Sequence, residues 1–300
     1  MLNEVCTKGK CTQCPRECGI DRDEKNGYCG VKNEYKVARA GLHLWEEPCI
    51  SCGNGSGTLF FSGCPMHCVF CQNYEISGGD RGKVLSESEL ESIIFSLVEK
   101  GAENINLVSP TQYALRLSRL LERIKPELSV PVVYNTGGYE SVETLKRLDG
   151  LIDIYLPDVK YFSPEISARY SGAPDYFEKT LPALLEMKRQ TGSAVFSENG
   201  EKMLRGMIIR HLVLPSHRRD SMAIFDALAE NFTPSEVYVS IMRQYFPTAK
   251  SAEFPEINRR VTTLEYESVV KHVRELGFVN GFTQGKDSAS GEFVPDFDMN

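Results

Sequence analysis

The chain has 300 residues, 41% of them hydrophobic and 25% charged, with a formal net charge of -7. At ~150 residues per domain this allows one large α/β domain or two smaller ones, with apolar residues enough for a sizeable core. The acidic balance argues against a bulk basic surface for nucleic acid, no apolar run approaches the ~18 residues of a bilayer span, and the N-terminus MLNEVCTKGK has no apolar signal core, so a cytoplasmic protein without membrane partners is expected.

Residues 1–53 are rich in Cys and Gly and weak in periodicity, and read as a Cys-rich metal-binding extension. From residue 58 onward strand and helix patterns alternate. Strands are expected at 58–62, 104–108, 132–135, 152–156, 207–214 and 236–241, with room for an extra strand in the looser stretch 193–205. The first helix, 86–100, carries Leu90, Ile93, Ile94, Leu97 and Val98 at helical spacing, and Ser86 with Glu89 fits a capping box. A second helix presents Leu117, Leu120, Leu121 and Ile124 on one face. Further helices are expected at 140–148, 164–169, 175–191, 219–230 and 263–276, the last stopped by Gly277.

Alternation of this kind implies a parallel sheet with helical cover. Six strands suit an open partial barrel as well as a doubly wound sheet, and in both, chemistry sits at the carboxyl ends of the strands. Polar residues gather just past those ends, as in Ser109-Pro110-Thr111, Asn135-Thr136-Gly137-Gly138, Asp158-Val159-Lys160, Pro215-Ser216 and Met242-Arg243-Gln244.

All ten cysteines lie between Cys6 and Cys71. Metal ligation explains that concentration in a reducing compartment better than disulfides do. Cys64, Cys68 and Cys71, spaced C-x3-C-x2-C, directly follow the first strand. Three thiolates on one tight loop suit three irons of a cubane cluster, which normally takes four cysteines, so one iron would stay open for a ligand. Half of a zinc site completed by His67 is the rival reading. Cys11, Cys14, Cys18 and Cys29 form a four-ligand set that suits zinc and a second iron–sulfur cluster equally. GNGSG at 53–57 precedes a strand instead of following one, so it fails the context of a dinucleotide loop. Asp158 and Lys160 admit a bland reading as an exposed ion pair, and His211 one as a satisfied core histidine.

As a set, CTQCPREC, WEEP, GSGTLFFSGC with CVFCQN, SPTQY, VVYNTGGY, IYLPDVKY and IIRHLVLP resemble the radical S-adenosylmethionine superfamily, and within it the branch similar to pyruvate formate-lyase activating enzymes. The resemblance covers nearly the whole chain. It implies a partial (β/α)6 TIM-like barrel at 54–250, between the Cys-rich extension 1–53 and a C-terminal helix and tail at 251–300. It implies a 4Fe–4S cluster on Cys64, Cys68 and Cys71. S-adenosylmethionine bound at the open iron would be cleaved reductively to a 5′-deoxyadenosyl radical that abstracts hydrogen from a substrate. By position the resemblance assigns the cofactor to Asn135, Thr136, Asp158, Lys160 and Arg210. Thr111 stands where activating enzymes carry a Gly-Gly-Glu that receives the methionine amino group. Asn135 stands where they carry an acid that helps hold a monovalent cation. The partners implied are an external electron donor of flavodoxin or ferredoxin type, and a glycyl-radical enzyme or a small-molecule substrate. The alternative from a different class is a non-catalytic iron–sulfur carrier or electron-transfer protein.

Overall fold

The structure, a computed structural model, describes residues 10–285 and Phe297. Cys6 lies outside the described residues. The strands are β1 (Tyr35–His43), β2 (Ser56–Phe61), β3 (Lys83–Leu85), β4 (Ile105–Val108), β5 (Val132–Thr136), β6 (Ile154–Pro157), β7 (Val195–Phe196), β8 (Met203–Leu212), β9 (Tyr238–Met242) and β10 (Asn280–Thr283). The helices are α1 (Tyr74–Ser77), α2 (Glu87–Glu99), α3 (Ala114–Ile124), α4 (Val142–Lys146), α5 (Pro164–Ser171), α6 (Tyr176–Thr191), α7 (Arg218–Asn231) and α8 (Thr263–Glu275).

The sheet runs in the order β10-β9-β8-β6-β5-β4-β2-β1-β3, with β7 paired to β8. From β2 to β10 the neighbours along this path are parallel. β1 and β3 extend the β2 edge antiparallel. The two ends do not pair, so this α/β fold is an open partial barrel. Strands such as β2 (SGTLFF), β4 (INLV) and β6 (IYLP) are buried at every position. Continuous apolar runs of that kind are what a parallel strand covered on both faces requires.

The six expected parallel strands are all present, shifted by a few residues at their ends, and β7 occupies the loose stretch. The short β3 and α1 were not expected, and neither were β1 and β10. β10 adds a seventh parallel strand from only four residues, half of them exposed. β1 lies inside the stretch that shows no periodicity, because a register shift between Val37 and Arg39 interrupts its alternation. Both predicted helix caps hold: Ser86 and Glu89 make the two reciprocal bonds of a capping box, and Gly277 follows α8 with φ of 92°.

Side chains on the outer sheet face, including Leu59, Leu107, Tyr134, Tyr155 and Ile209, join the helices in the main core. The inner face carries a smaller cluster of Val133, Ile154, Leu156 and Ile208, which buries Cys49 and Ile50. These two belong to the loop 44–52, which turns back beneath the amino ends of the strands. Met203 N–H donates to Cys49 O at 3.0 Å, and the Asn104 side-chain amide donates to Ile50 O at 2.7 Å. The loop is therefore a floor that closes the barrel from below. Ile50 is 1% exposed although it lies outside any helix or strand. Ile50→Ala should cost about 2–5 kcal/mol in urea unfolding, as for a core position; a loss under ~0.5 kcal/mol would show that the loop is not packed into the barrel.

Candidate metal and cofactor site

The loop after β2 turns sharply at Gly63, with φ of 82°, where a Cβ would stand 2.5 Å from Cys29 O. Only glycine fits there. His67, also left-handed at φ of 48°, curls the chain so that Cys64, Cys68 and Cys71 all face one cavity of about 580 Å³. The loop is braced from several sides. Cys64 N–H donates to Cys29 O at 3.1 Å, and Val69 N–H to Tyr170 O at 2.9 Å. Arg16 donates to Pro65 O at 2.8 Å and Thr248 to Val69 O at 2.8 Å. Phe70 sits edge-on among Tyr161, Tyr170 and Tyr245.

Burial first, and neighbouring thiols second, push the Cys64 thiol up to about 11 and the Cys71 thiol up to about 12. Thiols so placed stay protonated on their own and become thiolates when a cation draws them together. Among the described residues, no three His, Cys, Asp or Glu side chains gather at the spacing of a single metal ion. A cubane spreads its thiolates over separate irons, whereas zinc gathers four onto one point. Three partly buried thiols on one rigid loop, opening on a roomy cavity, fit a cluster.

Facing the thiols are side chains from the ends of β5, β6 and β8. Arg210 is the hub. Its Nε donates to Asp158 Oδ1 at 2.9 Å, Nη1 to Glu46 Oε2 at 3.1 Å and Nη2 to Asn135 Oδ1 at 2.5 Å. Lys160 Nζ bonds the other Asp158 oxygen at 2.6 Å. Burial pushes the Asp158 carboxyl up, but Arg210 and Lys160 together outweigh it and hold the group below its usual range. The Asp158 and Lys160 side chains are each 17% exposed, so they are not a surface ion pair. Thr136 and Gly137 also line the cavity. At Gly138, with φ of 81°, a Cβ would stand 2.2 Å from Asp158 O, so the β5 turn and the β6 end touch backbone to backbone.

Thr111 lies elsewhere. It is not part of the cavity wall, and its hydroxyl donates to Glu140 Oε1 at 2.5 Å. Thr136 Oγ1 bonds the same oxygen, and Tyr134 Oη bonds Oε2 at 3.3 Å. His211 takes its bland role. It is 1% exposed and bonds Val159 O and Ser221 Oγ, and burial lowers it to about 4.

Sequence reasoning passed over Glu46, Glu47 and Glu140. Glu46 and Glu47 rise from the floor loop into the cavity, where Asn106 and Asn135 donate to Glu46 Oε1 at 2.9 and 3.1 Å. The adjacent pair in WEEP was the available signal, but its partners lie as far away in sequence as Arg210.

Cys11, Cys14 and Cys29 are buried, and Cys18 is partly buried. Burial, with Cys11 and Cys29 beside it, pushes the Cys14 thiol up to about 12. This segment caps the loop that carries Cys64. Besides Pro65 O, Arg16 reaches Ser171 O and Gly172 O at 2.8 and 2.5 Å, and His67 Nε2 lies 2.8 Å from Tyr28 O.

Comparison with known proteins identifies the class of site. The radical SAM superfamily model matches residues 58–197. The uncharacterized protein MJ0674 of Methanocaldococcus jannaschii is 32% identical over 271 residues, covering 87% of this chain and 73% of its own. The chain belongs to the radical SAM superfamily, and that membership implies a 4Fe–4S cluster and S-adenosylmethionine. Streptococcus suis SuiB bound to S-adenosylmethionine shares the fold with a TM-score of 0.50 and 16% identity, over 74% of this chain and 48% of that one. This chain thus spans about half the length of SuiB. A mutant spore photoproduct lyase matches with a TM-score of 0.50 and 12% identity, over 75% and 74% of the two chains. Among the described residues no helix is long and apolar enough to cross a membrane.

Glu140 gives the site a pH signature. Burial raises its carboxyl from 4.5 to about 7, despite the three hydroxyls that favour the charged form. The folded state therefore prefers it neutral. Stability is full below the unfolded value, falls as pH rises from there to about 7, and is flat above. The displacement corresponds to roughly 3 kcal/mol. Urea midpoints measured between about pH 4.5 and pH 7 should show this fall in the wild type. Glu140→Gln should lack it, and identical profiles for the two proteins would refute the assignment.

Proposed function

We propose that the protein is a radical S-adenosylmethionine enzyme that abstracts hydrogen from a small molecule held in the barrel lumen. The observation that carries this reading is the cavity itself, which joins the three thiols to the Asp158–Lys160–Arg210 set and is closed below by the loop 44–52. When bound, the cluster supplies the electron that cleaves S-adenosylmethionine to methionine and a 5′-deoxyadenosyl radical, and an external donor of flavodoxin or ferredoxin type must replace that electron.

The chain's own residues orient and enclose. Cys64, Cys68 and Cys71 would hold the cluster. Asp158, fixed by two cations, presents a carboxylate of set direction to the cofactor's hydroxyl and amino groups, and the backbone at Gly137 gives it a close flat wall. Asn135 and Thr136 are already pinned, to Glu46 and Glu140, so they meet a ligand without reordering. Phe60, Phe70, Met66 and Met242 supply the apolar walls that keep water from a reactive intermediate. A glycine of a glycyl-radical enzyme is the other hydrogen source compatible with the same first step. A lumen closed at its floor suits a small molecule better than a protein loop.

Reconstituted anaerobically and given S-adenosylmethionine with dithionite, the wild type should form 5′-deoxyadenosine. Cys64→Ala should form none. No product from a wild type whose cluster is intact by absorbance would refute the reading and favour an iron–sulfur carrier, and product from the variant would overturn the assignment of the cluster to Cys64.

Cys11, Cys14, Cys18 and Cys29 are inferred to hold a second iron–sulfur cluster in preference to zinc. The burial of Cys11, Cys14 and Cys29 on a segment with few apolar residues supports a metal there, and iron is preferred because the chain already handles it at Cys64, Cys68 and Cys71. Iron per chain should fall by about half in Cys14→Ala. A proportional loss of zinc would identify the other metal, and unchanged contents of both would remove the assignment.

A further inference from the structure

We propose that the floor of the lumen, at Glu47, is a seat for a positively charged nitrogen, the protonated amine or guanidine of a small substrate. The proposal rests on the radical reading only for calling that ligand a substrate.

The charges of the lumen do not balance. Three carboxylates line it, on Glu46, Glu47 and Asp158, against two fixed cations, Lys160 and Arg210. Both cations are already engaged. Lys160 is spent on Asp158, and each of the three nitrogens of the Arg210 guanidinium has an acceptor. No charge is left in that set for an anionic ligand, and one carboxylate is left over. The other titratable side chains on the wall are His43 and His67 and the three cluster cysteines. Burial, with Arg39 nearby, lowers His43 below its usual range, so it brings no cation at neutral pH.

The surplus falls on Glu47. It is 8% exposed, and its Oε2 has no hydrogen-bond partner, the guanidinium standing off at 3.9 Å. Behind it, Asn106 is fully buried and donates from Nδ2 to Glu46 Oε1, so Glu46 is satisfied and Glu47 is not. A buried acceptor left unmet costs free energy, and one that faces an open cavity asks for a ligand with N–H donors. An ammonium or a guanidinium has those donors and the missing charge. Burial raises the Glu47 carboxyl and Glu46 adds to this, while Arg210 and a hydrogen bond from Ser240 only partly oppose it, so its negative charge is complete only when a cation sits beside it. The thiols line the same cavity, so a molecule seated by its nitrogen on the floor would extend its carbon chain toward them.

The test is calorimetric titration of the full-length, cluster-reconstituted protein with cadaverine and agmatine, in saturating S-adenosylmethionine. Glutarate and 1-pentanol serve as anionic and neutral controls. One or both amines should bind, and the controls should not. Glu47→Gln keeps the side-chain volume and should weaken amine binding ~10–100-fold. Equal binding of amines and controls to the wild type would overturn the proposal whether or not the variant folds. So would amine affinity unchanged in a folded Glu47→Gln, displacement of the amine by S-adenosylmethionine, or potassium binding in place of amines. The two readings separate cleanly. Amine binding that persists in Cys64→Ala supports the seat irrespective of radical chemistry, and 5′-deoxyadenosine formed by a protein that binds no amine leaves the enzyme standing and the seat refuted.

Discussion

A buried guanidinium holds the site together. Arg210 reaches from β8 to the end of β6, to β5 and to the floor loop, making a bond to each. Charges this deep are tolerated only when paired with good geometry, and truncating one partner of such a set typically costs about 3–5 kcal/mol because the rest stay buried and unpaired. The consequence is geometric. With Arg210 in place, Asp158 cannot rotate, Asn135 cannot flip, and Glu46 is drawn up from below. The polar lumen is fixed before any ligand arrives, which is what precise positioning of a reactive group demands.

The cluster loop depends on a different constraint, backbone contact. Gly63 against Cys29, and Gly138 against Asp158, are approaches that leave no room for a Cβ. They tie the N-terminal cap to the loop and the β5 turn to the β6 end. Gln112 adds a third tie. Its side-chain amide nitrogen lies 2.8–3.0 Å from the carbonyls of Ser62, Gly63 and Ser109, while its backbone carbonyl accepts from Gln13 and Arg22. The N-terminal cysteine segment is in this way mechanically part of the site. Disturbing it would be felt at Cys64 through Cys29 O and through Arg16.

Much of this was legible in the chain before folding. The apolar runs at β2, β4, β5 and β6 announced a parallel sheet, and helical spacing with Ser86 and Glu89 announced α2. The rule that chemistry gathers at strand carboxyl ends brought Cys64, Asn135 and Asp158 to one rim, and the family resemblance added Arg210. What stayed hidden depends on contacts distant in sequence. Glu46 and Arg210 are 164 residues apart, and nothing local in WEEP says that its acids will point up a barrel. Thr111 looked like a pocket residue because it follows a strand, yet Glu140, a group of no evident role in the sequence, takes its hydroxyl. β10 was too short to show a period, and the bulge in β1 erased one.

The proposed chemistry requires a cofactor seated directly on the Cys64–Cys68–Cys71 centre and held by the Asp158 set. Electron paramagnetic resonance of the reduced protein, with and without S-adenosylmethionine, tests that contact itself. The expected result is a change in the cluster signal on adding the cofactor, retained in Cys14→Ala and lost or shifted to higher cofactor concentration in Asp158→Asn. A signal indifferent to S-adenosylmethionine in the wild type would contradict the central claim.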